Sequence, residues 1–286
     1  MCALRKRYLA LFIIFLIMLT SLTQSHVTYN QLELQLKGET HQLNYKPSGF
    51  YIDYYGDKYR IEASENAEFI DLSVADLDHD EIDEILALVG EKGASYANEL
   101  VIYNLMVDDN DLMIKESYHN NMKVLRPWMI ETCEIDNDGD QEIFIGVNKA
   151  THYYPEVENR PFFFNFKENM LVKKWTGSKL RSPFLDVCFS DINSNGSDEI
   201  IVIEEAEHGG FVIAVYYWFG FGFILQAESA VYDTITSVNI VKADEESEGT
   251  TINASVRKNN RTEWVTLVPS MDITENQIYL LKEKGE

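Results

Sequence analysis

Three short acidic runs carry the chemistry that can be read from this chain. The richest is Glu134-Ile135-Asp136-Asn137-Asp138-Gly139-Asp140-Gln141-Glu142-Ile143, with carboxylates at positions 1, 3, 5 and 9 and glycine at position 6. Oxygen donors at that density suit a hard cation, Ca²⁺ above all. Without one, so many like charges in one turn repel each other. The pattern occurs upstream as Asp76-Leu77-Asp78-His79-Asp80-Glu81-Ile82-Asp83-Glu84-Ile85 and downstream as Asp191-Ile192-Asn193-Ser194-Asn195-Gly196-Ser197-Asp198-Glu199-Ile200. The first positions, 76, 134 and 191, lie 58 and 57 residues apart. A fixed period of that length means one supersecondary unit used repeatedly. A worn fourth copy begins at Asp244 and has Ile252 at its ninth position, so it lacks one carboxylate.

The flanks must position these loops, and they repeat as well. Six and four residues before position 1 stand Ile70/Leu72, Trp128/Ile130 and Leu185/Val187, and the fourth copy offers Val238/Ile240. Apolar residues at period 2 predict a strand leading into each loop. Ile85–Val89, Ile143–Val147 and Ile200–Ile203 predict strands leading out. The unit is therefore strand, acidic loop, strand, then two further strands. An EF-hand is excluded: it needs glutamate at position 12 and helices on both sides, whereas position 12 here is Ala87, Ile145 or Val202.

On these residues the chain resembles the FG-GAP/VCBS repeat family, which includes the integrin α-subunit propeller and places D-x-[DN]-x-[DN]-G-x-x-[DE]-[ILV] between the first two strands of a four-stranded blade. The resemblance implies an all-β fold, a small propeller of four or five blades. It also implies Ca²⁺ ligands at Asp76, Asp78, Asp80 and Glu84, at Glu134, Asp136, Asp138 and Glu142, and at Asp191, Asn193, Asn195 and Glu199. The position-7 carbonyls of Ile82, Asp140 and Ser197 complete the implied sets. Three departures stand out: Glu134 replaces aspartate at position 1, Glu81 replaces glycine at position 6, and the third loop carries two amides.

Before the first repeat, Arg5-Lys6-Arg7, the apolar run Tyr8–Leu19 and a small polar stretch to Ser25 match an export signal over residues 1–25, or an N-terminal anchor if it is not cleaved. Residues 26–286 then form one domain, with repeats starting near 68, 126, 183 and 236. Residues 26–67 supply either a degenerate blade or ring-closing strands. Cys133 and Cys188 fall on different inbound strands and are expected as buried free thiols. The connection from His152 to Phe164 is unusually rich in aromatics, with two prolines and Arg160. It is expected to cover a blade edge or to plug the axle. Trp218–Phe223 is expected as the tight turn and outer strand of a blade, and His208-Gly209-Gly210 as a hairpin turn.

A net charge of −23 argues against nucleic acid and anionic membrane as partners, leaving a membrane contact only through an uncleaved N-terminus. A protein or a neutral glycan fits better. No G-x-S-x-G, H-E-x-x-H or phosphate-loop pattern is present. The expectation is an exported, calcium-stabilised interaction module of the cell surface or envelope. The alternative is a glycan hydrolase or lyase that uses the axle or the 152–164 loop, with His152, Glu156, Glu158 and Arg160 as its obvious groups.

Overall fold

A computed structural model describes residues 29–108, 111–242, 250–274 and 277–285. The N-terminal export segment and most of the worn loop after Asp244 lie outside the described residues. Every element among those described is a β-strand.

The strands form successive antiparallel meanders. The first is β1 (Asn30–Leu36), β2 (Glu39–Lys46), β3 (Gly49–Tyr54) and β4 (Asp57–Glu62). The second is β5 (Ala67–Ala75), β6 (Glu84–Glu91), β7 (Glu99–Asp108) and β8 (Asp111–Asn121). The third is β9 (Pro127–Cys133), β10 (Glu142–Lys149), β11 (Glu158–Lys167) and β12 (Met170–Trp175). The fourth, β13 (Phe184–Ser190), β14 (Glu199–Glu205), β15 (Phe211–Trp218) and β16 (Phe223–Ser229), shares a sheet with β17 (Thr234–Val241), β18 (Thr251–Lys258), β19 (Arg261–Ile273) and β20 (Tyr279–Glu283). The sequence did not announce that union. β16 and β20 pair in parallel through Ala227–Ser229 and Tyr279–Leu281, so two meanders fold into one eight-stranded sheet.

Each acidic loop joins the first two strands of its meander, as the repeat predicts. The outgoing strands β6, β10 and β14 are buried on nearly every residue, which explains their continuous apolar runs. They are covered from both sides because hydrophobic clusters fill the space between successive sheets. Leu34, Phe50 and Ile52 pack with Leu72 and Ile85 between the first and second. Leu88 and Ile102 meet Ile145 and Phe164 between the second and third. Phe144 and Phe163 meet Phe184 and Val202 between the third and fourth. Ile213 and Val215 meet Ala254 and Leu267 between the two halves of the large sheet. No described cluster draws on both the first and the last meander. Their outer faces carry Glu33, Gln42, Asp53 and Arg60 on one and Asn239, Asn253, Arg257 and Trp264 on the other, and most of these residues are exposed.

One expectation changes in detail. The apolar pairs before each loop do not share a face. Ile70 packs toward the third meander and Leu72 toward the first, while Leu185 is exposed and Val187 buried. The cause is a β-bulge: register shifts between Phe69 and Asp71 leave Ile70 unpaired, and those between Phe184 and Asp186 leave Leu185 unpaired. Trp128 is skipped in the same way between Pro127 and Met129. The extra residue turns the strand by one side-chain position. All three bulges sit six residues before their loop. Cys133 is a buried free thiol and Cys188 a half-buried one.

Candidate functional site

The three loops fold alike. In each, the N–H of position 2 donates to Oε2 of the position-9 glutamate: Leu77 to Glu84 at 2.8 Å, Ile135 to Glu142 at 3.0 Å and Ile192 to Glu199 at 3.0 Å. The N–H of position 7 donates to the side chain of position 5, at Asp80, Asp138 and Asn195. The N–H of position 6 donates to the side chain of position 1, at Asp76, Glu134 and Asp191. Glu134 thus fills the aspartate's place with its longer arm and also accepts from Asp136 N–H. Position 4 is left-handed throughout, at His79 (φ 63°), Asn137 (57°) and Ser194 (59°). Position 6 is left-handed too, at Glu81 (69°), Gly139 (89°) and Gly196 (89°). Glu81 therefore adopts the glycine conformation, at a steric cost of about 1 kcal/mol.

The loops also clasp neighbouring meanders. Asp83 N–H donates to Gln35 O, and Gln35 N–H to Asp83 Oδ2 at 2.7 Å, tying loop 1 to β1. His79 Nε2 lies 3.1 Å from Asp140 Oδ1, joining loops 1 and 2. Glu134 N–H donates to Asp198 Oδ2 at 3.0 Å and Asn137 Nδ2 to Asn195 O at 3.4 Å, joining loops 2 and 3.

The position-9 glutamates are the most demanding groups. Their relative exposures are 4 % for Glu84, 0 % for Glu142 and 1 % for Glu199. Burial pushes Glu84 and Glu199 up to about 7 and also raises Glu142. Burying a carboxylate is costly unless it is compensated, and each loop compensates differently. In loop 2, Lys174 Nζ lies 2.7 Å from both Glu142 Oε1 and Asp136 Oδ2, and Asn165 Nδ2 donates to the same Oε1 at 2.8 Å. In loop 3, Asn193 Nδ2 donates to Glu199 Oε1. In loop 1, no side-chain donor among the described residues reaches Glu84 Oε1.

Fitness for Ca²⁺ follows from these differences. Carboxylate oxygens of Asp76, Asp78 and Glu84 lie within 4.8 Å of one another, about twice a Ca–O bond of ~2.3–2.6 Å. Asp78 is pushed up, first by burial and then by Asp80 and Asp76. Loop 1 therefore fits, with Asp80 and the Ile82 carbonyl in the same turn. Loop 2 offers Glu134, Asp136 and Glu142 at the same spacing, with Asp138 and the Asp140 carbonyl in the turn, but an ammonium already lies among its oxygens. Loop 3 offers two carboxylates, Asp191 and Glu199, and the amides of Asn193 and Asn195. Rotating the Asn193 amide would present its oxygen, with the Ser197 carbonyl in the same turn.

A second group of acids was not singled out from the sequence. β5 and β9 approach closely: Ile130 N–H donates to Asp71 Oδ2 at 2.9 Å and Thr132 Oγ1 to Val74 O at 2.8 Å. Burial lifts Asp71 to about 6 and Glu131 to about 8, each aided by neighbouring carboxylates that include Asp186 on β13. The signal was present: each inbound strand carries one acid close behind its bulge. By contrast, Arg160 is fully buried and spends its Nε–H and Nη2–H groups on Lys149 O (2.9 Å), Tyr154 O (3.3 Å) and Glu156 O (2.9 Å), with Glu158 Oε2 at 3.4 Å, while its Nη1 is buried without a hydrogen-bond partner among the described residues. It organises the 150–157 loop. No family model and no curated protein matches this chain.

Proposed function

We propose that the protein is an exported, Ca²⁺-stabilised interaction module. It is a propeller-like array of five four-stranded blades, related in design to FG-GAP/VCBS repeats, which meets a protein or neutral glycan through its surface. One observation carries the metal half of this reading. Loop 1 converges three carboxylates, one of them almost wholly buried, and no ion pair among the described residues balances them. Bound Ca²⁺ would supply that balance and fix the strands on either side, so metal free energy becomes folding free energy. Loop 3 is the second candidate, and Lys174 serves loop 2 from within. The export half rests on the N-terminal sequence, and the module half on the repeat together with the lack of a recognised catalytic motif. The hydrolase or lyase alternative gains little, because Arg160 and Glu158 are engaged with each other and with the loop backbone.

The test is calorimetric titration with Ca²⁺, alongside melting with and without chelator. Saturable binding and a chelator-lowered Tm are expected, and Glu84→Gln should abolish the tightest binding. A melting curve indifferent to both reagents would remove the metal. Capture of a partner from cell-envelope extract, absent with a heat-unfolded control, tests the module.

A further inference from the structure

A cavity of about 620 Å³ lies between the second and third meanders and runs along the β10–β12 face, from Lys149 and Thr151 at the strand ends opposite the acidic loops to Leu171 and Lys173. Small-molecule sites typically span about 300–1,000 Å³. Phe162, Phe164, Leu171 and Met122 give it an apolar floor. Lys149 and Lys173 stand at its wall, and no Asp or Glu lines it. That is unexpected in a chain with 47 acidic and 24 basic residues. The lysine ion pairs among the described residues use Lys58, Lys167, Lys174, Lys258 and Lys282, and neither cavity lysine is among them.

One wall is built with care. The buried Arg160 holds the carbonyls of Lys149, Tyr154 and Glu156, and its guanidinium and the Lys179 ammonium lie over the Tyr154 ring at 5.2 and 5.0 Å. Thr151 and Tyr154 exchange backbone hydrogen bonds at 2.8 and 3.3 Å. A buried charge that pins a surface loop adds no apolar core. Here it fixes Lys149 and the Thr151–His152 turn against the cavity, and such preorganisation lowers the ordering cost of binding.

We propose that this cavity binds a small organic anion with an aromatic or branched apolar body, its carboxylate at one of the two lysines, Lys149 or Lys173, and its body on the phenylalanine floor between them. The floor disfavours a bare inorganic anion. The two unpaired ammonium groups disfavour an uncharged ligand and give the site a sign opposite to that of the rest of the molecule. The site is independent of Ca²⁺.

Ligand-observed NMR and calorimetry on the intact protein, loaded with Ca²⁺, would use phenylacetate, indole-3-acetate and 4-methylpentanoate as carboxylates. Phenylacetamide serves as the neutral isostere and sulfate as the bare anion. At least one carboxylate should saturate at millimolar concentration or below, about tenfold tighter than the amide. Lys149→Gln with Lys173→Gln should weaken it about tenfold and remove its salt dependence, with Tm and Ca²⁺ uptake unchanged to show an intact fold. Three outcomes overturn the proposal: no carboxylate saturates, the double variant binds like wild type, or phenylacetamide or sulfate binds as tightly as the carboxylates.

Discussion

Replacing Lys174 by methionine separates a loop that is balanced internally from loops that need an outside cation. The ammonium lies 2.7 Å from Glu142 Oε1 and 2.7 Å from Asp136 Oδ2, and Glu142 is 0 % exposed. Removing one partner of such a buried pair typically costs about 3–5 kcal/mol, because a buried charge is left unmatched. For a domain of this size each kcal/mol moves Tm by roughly 2–4 °C, so Lys174→Met should melt roughly 10 °C lower in the presence of chelator. The same change frees the oxygens of Glu134, Asp136 and Glu142. Ca²⁺ should then bind at loop 2, adding one site by calorimetry. At a concentration a hundred times its Kd it returns about 2.7 kcal/mol. Lys167→Met, which removes an exposed partner of Asp140, is the control and should leave the melting curve in chelator almost unchanged. If Lys174→Met melts like wild type in chelator and takes up no additional Ca²⁺, Lys174 is not the counter-ion of loop 2 and the ranking of the loops fails with it.

Three further outcomes follow from the geometry. Asp71 and Glu131 have pKa values raised to about 6 and about 8 in the folded chain. Their stabilising contribution is therefore complete below the unfolded carboxylate values near 4 and is lost as pH rises toward 8. Tm should fall across that window, and Glu131→Gln should flatten the fall, by up to about 1.4 kcal/mol per pH unit removed; an unchanged slope would refute the assignment. Arg160→Met should cost about 3 kcal/mol, because it leaves the Tyr154 and Glu156 carbonyls of the 150–157 loop and the Lys149 carbonyl at the end of β10 without their donor, and hydrogen exchange should speed up selectively there. Glu81→Gly should raise Tm by about 1–2 °C, since glycine relieves the left-handed strain at φ 69° while keeping the N–H bond to Asp76.

Much of the architecture could be read because it repeats. Asp76, Glu134 and Asp191 recur at a period that only equivalent units produce, and the strands before and after them emerge as β5/β6, β9/β10 and β13/β14. The loop hydrogen bonds follow from the same positions, so Glu81 in a glycine conformation was foreseeable. The facing of the inbound strands was not. Period-2 reasoning assigns Ile70 and Leu72 to one side, and only the bulge at Ile70 separates them. Nothing local marks a bulge here, since the skipped residues are Ile70, Trp128 and Leu185 and none is glycine. Lys174 as a counter-ion was hidden for another reason: it stands 32 residues beyond Glu142 on the fourth strand of its meander, and Lys173 beside it is indistinguishable by composition. The parallel pairing of β16 with β20 depends on two outer strands converging in space, which no spacing along the chain encodes.

The two end meanders turn water-compatible surfaces outward, while every apolar seam lies between successive units. A fold arranged in this way does not prescribe its own length. Duplication of an internal unit would keep a polar-faced unit at each end and an apolar seam between neighbours, because nearest-neighbour contacts hold most of the array together, whereas loss of an end unit would bare Leu72 and Ile85 or Ile213 and Val215 to water. A change in repeat number by internal duplication is therefore a physically small step for this architecture.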